Sequence, residues 1–248
     1  MRTPFINVTA ALDAVRRGEA DYALVPIENS VEGVVARTLD ELATGEPLTI
    51  AAEVTLAVVF DLMAKPGTTT VSRIGTHPHA ESQCREYLST HYPHAQIIPT
   101  NSTASAAEMV AQGTLDAAIA STAAAQEFGL EVISANIGDN QSAVTRFISV
   151  QKPGYIPAPT GHDRTSVVLY IDIDHAGALL EILTVFARHD VNLTFIQSRP
   201  TGRELGHYHF IIDVEGHIND EAVAKSMDEL RDICDDIRFL GSYPREVR

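Results

Sequence analysis

The sequence predicts an α/β protein in two parts, and three observations lead there. Over the first two thirds, short apolar runs alternate with helix-like runs. Residues 151–164, QKPGYIPAPTGHDR, then hold three prolines and two glycines in fourteen residues, the composition of a boundary. Beyond it, strand-like and helix-like runs follow in the order βαββαβ, the ferredoxin-like split βαβ arrangement. The domains so drawn are 1–152, a linker at 153–164, and 165–248.

Each element has its own signal. TAALDAVRRG (9–18) reads as a helix with Thr9 as N-cap and Gly18 as its stop. YALVPI (22–27) is a buried strand, ENSVEG a loop, and VVARTLDELA a second helix. The stretch LTIAAEVTLAVVFDLMA (48–64) is β-rich throughout and closes at the breaker KPGTTT. In IGTHPHAESQCREYL (74–88) a strand turns at His77-Pro78 into a helix. The pattern recurs at IIPTNSTASAAEMVAQG (97–113), with Ser102 or Thr103 as cap, and at DAAIAS (116–121), which feeds STAAAQEFG. EVISANI leads through a polar turn into VTRFISV (144–150). Repeated strand, small-residue turn and helix start aim unpaired N–H groups at ligands, as anion-binding α/β proteins do. After the linker come TSVVLYIDI, GALLEILTVFARHD, LTFIQSRP, GHYHFIIDVEG, NDEAVAKSMDELRDIC and DIRFLGSYP. The first helix of this part carries Leu179, Ile182, Leu183 and Phe186 at the spacing of a packed stripe.

Composition narrows the function classes. The 248 residues suffice for one large domain or two modest ones, each with a core. Hydrophobic content of 45% and a mean hydropathy of +0.01 describe an ordinary globular chain. No apolar run approaches a membrane span and the N-terminal stretch has no signal core, so a cytoplasmic location is expected. Cys84 and Cys234 lie in different predicted domains and give no disulfide framework. A net charge of −15, from 33 acidic and 18 basic residues, repels nucleic acid and anionic membrane, and neither is expected as a partner. The same field repels an anionic substrate, so an anion site needs local donors: Arg146, hydroxyls and helix-start N–H groups.

The candidate chemistry sits at junctions. Thr145 and Arg146 stand where a polar turn enters a strand, which is where α/β folds place ligand chemistry. The hydroxyl of Thr145 can donate a proton, and the planar guanidinium of Arg146 suits a carboxylate; a strand-entry ion pair explains Arg146 equally. Asn101, Ser102, Thr103 and Ser105 start a helix with alanines behind them, which fits both an N-cap and an anion ligand. His77, His79, Cys84, His91 and His94 lack the spacing of a zinc site, and no metal is expected.

Five strings in order carry a resemblance: VPIENSVEGVV (25–35), THPHAESQC (76–84), NSTASAA (101–107), TRF (145–147) and GALLEILTVFARHDVNLTFIQSRP (177–200). Together they resemble the prephenate dehydratase family with its C-terminal ACT regulatory domain, over nearly the whole chain. The resemblance implies a two-lobed catalytic domain similar to periplasmic binding proteins, followed by the ferredoxin-like ACT domain. It implies decarboxylative dehydration of prephenate to phenylpyruvate, with feedback by phenylalanine and no cofactor. Thr145 and Arg146 would be catalytic: Thr145 as proton donor to the leaving hydroxide, Arg146 as a carboxylate clamp or a support for the loop. Glu28, Asn29 and Ser30, with Asn101, Ser102 and Thr103, would bind substrate, although Asn29 and Ser30 also fit a helix cap. Phe147 fits core packing.

The allosteric phenylalanine site would comprise Gly177, Ala178 and Leu179, with Asn192, Leu193, Thr194, Gln197, Ser198 and Arg199. Relatives carry Glu where this chain has Gln197, and often Gln where it has His79. Paired ACT domains imply a homodimer or dimer of dimers. No chorismate mutase bundle precedes the domain, so a monofunctional enzyme is expected. Relatives open with a strand and a Gly-Pro-x-Gly-Thr-Phe loop at the substrate site, and no such string occurs in this sequence. A late start, a trimmed chain or a phenylalanine sensor without turnover would each account for that, and the retained motifs favour the first two. Arogenate dehydratase is the alternative with the same chemistry.

Overall fold

The computed structural model describes residues 3–171, 175–201 and 208–246. The chain folds as two compact units, one of residues 1–56 with 145–248 and one of residues 57–144.

The first unit opens with helix α1 (Val8–Arg17). Its cap is Asn7, not the expected Thr9: the Asn7 side chain accepts from the Ala10 N–H, while Thr9 Oγ1 donates to Glu41 at 2.8 Å. The helix stops at Gly18, whose φ of 75° suits a residue without Cβ. Strand β1 (Tyr22–Asn29), the short β2 (Gly33–Val34), helix α2 (Ala36–Thr44) and strand β3 (Thr49–Ala57) follow. Thr38 Oγ1 donates to the Pro26 carbonyl at 2.6 Å and ties α2 to β1.

The β-rich stretch at 48–64 is two strands in two sheets. Strand β4 (Asp61–Ala64) belongs to the second unit, with β5 (Arg73–Thr76), α3 (Pro78–Ser82), α4 (Arg85–His91), β6 (Gln96–Pro99), α5 (Thr103–Gln112), β7 (Ala117–Ala120), α6 (Thr122–Phe128) and β8 (Glu131–Ser134). Its sheet has the order β6-β5-β7-β4-β8, parallel across β6, β5 and β7 and antiparallel around β4. The small side chains let α5 lie close on this sheet: a Cβ at Gly75 would stand 3.3 Å from the Ala106 Cβ of α5.

The chain re-enters the first unit through β9 (Val144–Gln151), completing a sheet of order β2-β1-β9-β3. The C-terminal part follows as β10 (Asp163–Ile171), α7 (Ala178–Arg188), β11 (Leu193–Pro200), β12 (Tyr208–Glu215), α8 (Glu221–Leu230) and β13 (Asp236–Pro244). These strands form an antiparallel sheet of order β11-β12-β10-β13, the ferredoxin-like arrangement expected. Residues 172–173 and 206–207 of the predicted strands lie outside the described residues. The buried stripe of α7 is Ala178, Ile182, Val185 and Phe186; Leu179, expected in it, is a third exposed. Helices α7 and α8 cover one face of this sheet, where Val167, Leu169 and Ile212 meet Phe186 and Leu230.

The opposite face belongs to a different core. Val168, Ile211, Leu240 and Tyr243 pack with Leu12, Val25, Leu39, Ile50 and Ile148 of the N-terminal sheet and its helices. Strand β10 is therefore buried on both faces, which is why TSVVLYI reads as a continuous apolar run. Gly241 marks the closest approach: its φ is 142°, and a Cβ there would stand 2.3 Å from the Ile50 carbonyl oxygen on β3.

Candidate active site

Strand register decides which side chains meet. Pro26 has no N–H to give the ladder, and the β1–β9 pairing shifts between Pro26 and Glu28. Past that shift Glu28 stands opposite Arg146 and Asn29 opposite Thr145. Directly opposed residues share a face, and successive residues alternate. Asn29 and Thr145 therefore project to one face, Glu28 and Arg146 to the other.

On the first face, Asn29 Nδ2 donates to Thr145 Oγ1 at 2.9 Å. The orientation of the Asn29 amide is fixed from its other end, where Oδ1 accepts from the N–H groups of Val31 at 2.8 Å and Glu32 at 3.0 Å. Only the NH₂ group remains to face Thr145. The helix-cap role open to Asn29 and Ser30 is not taken: the N-cap of α2 is Val35, without a side-chain hydrogen bond. Ser30 is exposed in the turn, and Phe147 is half-buried on the Thr145 face rather than in the core.

On the second face, Arg146 is buried in a network of charges. Its Nη1 donates to Asp213 Oδ2 of β12 at 2.7 Å and to Glu53 Oε2 of β3 at 3.3 Å, and its Nε lies 3.5 Å from Glu28. Arg164 Nη1 donates to the same Glu53 oxygen at 2.6 Å. Asp213 Oδ1 accepts from Ser166 Oγ at 2.6 Å; since a carboxylate only accepts, Ser166 in turn accepts from Tyr243 Oη at 2.8 Å. The Phe195 ring lies 5.5 Å from the guanidinium. Burial pulls the Arg146 pKa down, but Asp213, with Tyr243 and Glu53, outweighs it and the group stays charged. Burial, reinforced by Asp213, raises the Tyr243 phenol and keeps its proton on.

The remaining candidates lie on other elements. In the second unit, Ser102 is the cap of α5, its Oγ accepting from the Ser105 N–H at 3.0 Å, with Asn101 exposed beside it and Thr103 the first helical residue. His77 caps α3 through Nδ1 to the His79 N–H at 3.2 Å. His91 and His94 are exposed, while burial, with Asp139 nearby, pushes the Cys84 thiol up to about 12 and makes it a poor nucleophile.

In the C-terminal part Gly177, at φ 103°, and Ala178 start α7 with Leu179, and Leu180 is two-thirds exposed. Asn192 gives its carbonyl to the Glu215 N–H, Leu193 is half-buried, and Thr194 Oγ1 donates to the Asp213 carbonyl. The β11–β12 register shifts between Leu193 and Phe195; beyond it Phe195, Gln197 and Arg199 alternate with Ile196, Ser198 and Pro200. Arg199 forms a two-bond fork with Asp40 of α2, at 2.9 and 2.8 Å. Glu53, Arg164, Ser166, Asp213 and Tyr243 escaped the sequence reading. For Glu53 and Asp213 the signal was an acidic residue isolated inside an apolar strand, as in TIAAEVTLA and YHFIIDVE.

Residues 2–154 match the family model for prephenate dehydratase, and residues 165–232 that for the ACT domain. A prephenate dehydratase from Mycolicibacterium vanbaalenii is 47% identical over 240 residues, 96% of this chain and 77% of that protein. The crystal structure of a prephenate dehydratase from Arthrobacter aurescens, in complex with L-Phe, is 49% identical with a TM-score of 0.91, covering 98% of this chain and 81% of that one. GqqA, described as a novel type of quorum quenching acylase, is 30% identical with a TM-score of 0.88 over 98% of this chain and 89% of its own.

Proposed function

The chain belongs to the prephenate dehydratase family, with an ACT domain behind the catalytic part, and on that premise we propose that it converts prephenate to phenylpyruvate with Thr145 as proton donor. The observation that carries the reading is the hydrogen bond from Asn29 to Thr145. It occupies a lone pair of Oγ1 and leaves the hydroxyl hydrogen to be given away. In the reaction the bond to the ring carboxylate breaks and carbon dioxide leaves. That electron pair enters the ring and expels the hydroxyl at the opposite carbon, which departs as water once it takes the Thr145 proton, and Oγ1 is reprotonated from solvent. Aromatisation drives the step, so the enzyme's task is to place one modest acid well. As Oγ1 gives up its proton, charge builds on it, and the Asn29 N–H is already aimed there.

Ser30, exposed next to Asn29, and Glu28, whose carboxylate lies toward Arg146 on the other face, are proposed substrate contacts, as are Asn101, Ser102 and Thr103 at the start of α5. Phenylalanine is the inhibitor, taken by the ACT domain around Gly177–Leu179 and Asn192–Arg199. Leu180 and Ile196, 66% and 42% exposed, are apolar surface that a homodimer through paired ACT domains would cover. No helix among the described residues is long and apolar enough to cross a membrane, and a cytoplasmic location fits a biosynthetic enzyme.

GqqA is a reminder that one fold hosts unrelated chemistries. The relatives near half identity, rather than the shape, favour dehydration. The test is phenylpyruvate formation from prephenate by the 248-residue chain, with and without phenylalanine. Turnover suppressed by phenylalanine supports the reading. Phenylalanine binding without any turnover would leave a sensor.

A further inference from the structure

We infer that Asp213, a residue of the ACT sheet, is a positioning residue for the proton donor: it anchors Arg146 and so fixes the neighbouring Thr145. The inference rests on the reading of Thr145 as donor.

Arg146 is badly placed to clamp a substrate. Its Nε and Nη2 are buried and make no hydrogen bond among the described residues, and its Nη1 is engaged by Asp213 and Glu53. Binding a substrate carboxylate would require the guanidinium to leave a site where it and Arg164 balance the two buried carboxylates, Glu53 and Asp213. Those carboxylates are 4% and 1% exposed at the side chain, so abandoning them uncovers buried charge.

What the guanidinium can do is hold strand β9. Thr145 and Arg146 share a peptide unit and point to opposite faces, so a turn of the backbone at Arg146 swings the hydroxyl of Thr145. Of the three carboxylates near Arg146, Asp213 is the nearest, at 2.7 Å against 3.3 Å for Glu53 and 3.5 Å for Glu28. It is also held in place itself, through Ser166 to Tyr243. A donor whose angle to the leaving oxygen matters is thus referenced to a strand of the regulatory domain.

The test compares Thr145→Val, Asp213→Asn, Asp213→Glu and the charge-balanced pair Asp213→Asn with Arg164→Met, all in the full chain. Steady-state kcat and KM for prephenate are measured beside thermal unfolding. Asp213→Asn is expected to lower kcat about tenfold or more, with KM held within about twofold. The balanced pair should recover most of the melting temperature but not kcat, and Asp213→Glu should recover part of kcat. A balanced pair with wild-type kcat would reduce Asp213 to charge neutrality and overturn the inference, as would a rise in KM at unchanged kcat, which would make Arg146 a substrate clamp. Should the balanced pair not fold, the comparison of Asp213→Glu with Asp213→Asn decides: equal kcat values sink the proposal. Turnover retained by Thr145→Val removes the donor reading instead, whatever Asp213 does.

Discussion

Replacing Asn29 by Asp tests the polarity on which the donor argument depends. The two side chains have the same shape, and an Asp carboxylate would still accept from the Val31 and Glu32 N–H groups, so the turn keeps its hydrogen bonds. The oxygen that replaces Nδ2 would stand 2.9 Å from Thr145 Oγ1 and could only accept. Thr145 would then donate to residue 29, and its proton would point away from the leaving hydroxyl. Losing the donor to Oγ1 removes about 1–3 kcal/mol of orientation and charge stabilisation. Misdirecting the proton and adding an anion beside a dianionic substrate costs at least as much again, so kcat should fall by roughly 10²–10⁴. Asn29→Ala loses the donor to Oγ1 and the turn's two hydrogen bonds to Oδ1 but leaves the Thr145 proton free, and should sit near a 10–100-fold loss, roughly. Phenylpyruvate formation by stopped assay, with melting temperatures to confirm folding, ranks the variants. Asn29→Asp matching or exceeding Asn29→Ala in kcat would refute the polarity.

Gly241→Ala places a Cβ against the Ile50 backbone at a φ of 142°, and should cost about 2–5 kcal/mol, seen as a melting temperature lower by roughly 5–15 °C. His209 is 1% exposed, opposite Tyr170 and Arg199 in the sheet, and its two ring nitrogens make no hydrogen bond among the described residues. Burial first, then Arg199 and Arg238 against the opposing pull of Asp40, lowers its pKa. Its contribution is therefore complete above the unfolded value and is lost as pH falls from about 6.5 toward the folded one. The melting temperature of His209→Phe should depend less on pH than that of the parent chain between about pH 7.5 and 5.5. At the start of α5, Ser102→Gly keeps the cap to within a few tenths of a kcal/mol but removes the hydroxyl. A KM for prephenate raised about 5–30-fold, with the melting temperature nearly unchanged, is the expected sign of a substrate contact.

Much of this was legible because it is local. The Gly18 stop, a cap at Ser102 or Thr103 (Ser102 takes it) and the βαββαβ order depend on neighbours in sequence and read correctly, whereas the helix expected after His77-Pro78 is two, α3 and α4, and Glu28 and Asn29, expected in a loop, extend β1. Thr9 lost its cap role because Asn7 caps the helix and Glu41, 32 residues away, takes the threonine hydroxyl. The division of 48–64 into two strands was hidden because both halves have the same β-type composition, and only tertiary pairing assigns them to different sheets. Thr145 and Arg146 read as one motif because they are adjacent. Strand period separates them: Thr145 faces Asn29, while Arg146 enters a core whose partners are 67 and 93 residues away. An isolated Asp213 in an apolar strand announces a buried charge, but not which cation satisfies it.

Magnitudes also constrain how the regulatory domain can act. Parting Arg146 from Asp213 breaks the shortest contact of a buried charge network; Glu53 and Arg164 remain as partners, so the cost lies below the about 3–5 kcal/mol of a buried charge left alone. Coupling between an effector and an active site is typically about 1–3 kcal/mol, which favours moving the two together over separating them. A shift of the ACT sheet therefore carries Arg146 with Asp213, and the displacement passes into β9 at the residue next to Thr145. The second connection runs the same way. Arg199 on β11 grips Asp40 of α2, and α2 is tied through Thr38 to Pro26, three residues before Asn29. Both members of the Asn29–Thr145 pair are thus linked to ACT strands, one through β12 and one through β11. Inhibition then needs no opening of the shared core: a small rotation of the sheet that moves the two anchors unequally lengthens the 2.9 Å hydrogen bond that orients the proposed proton donor.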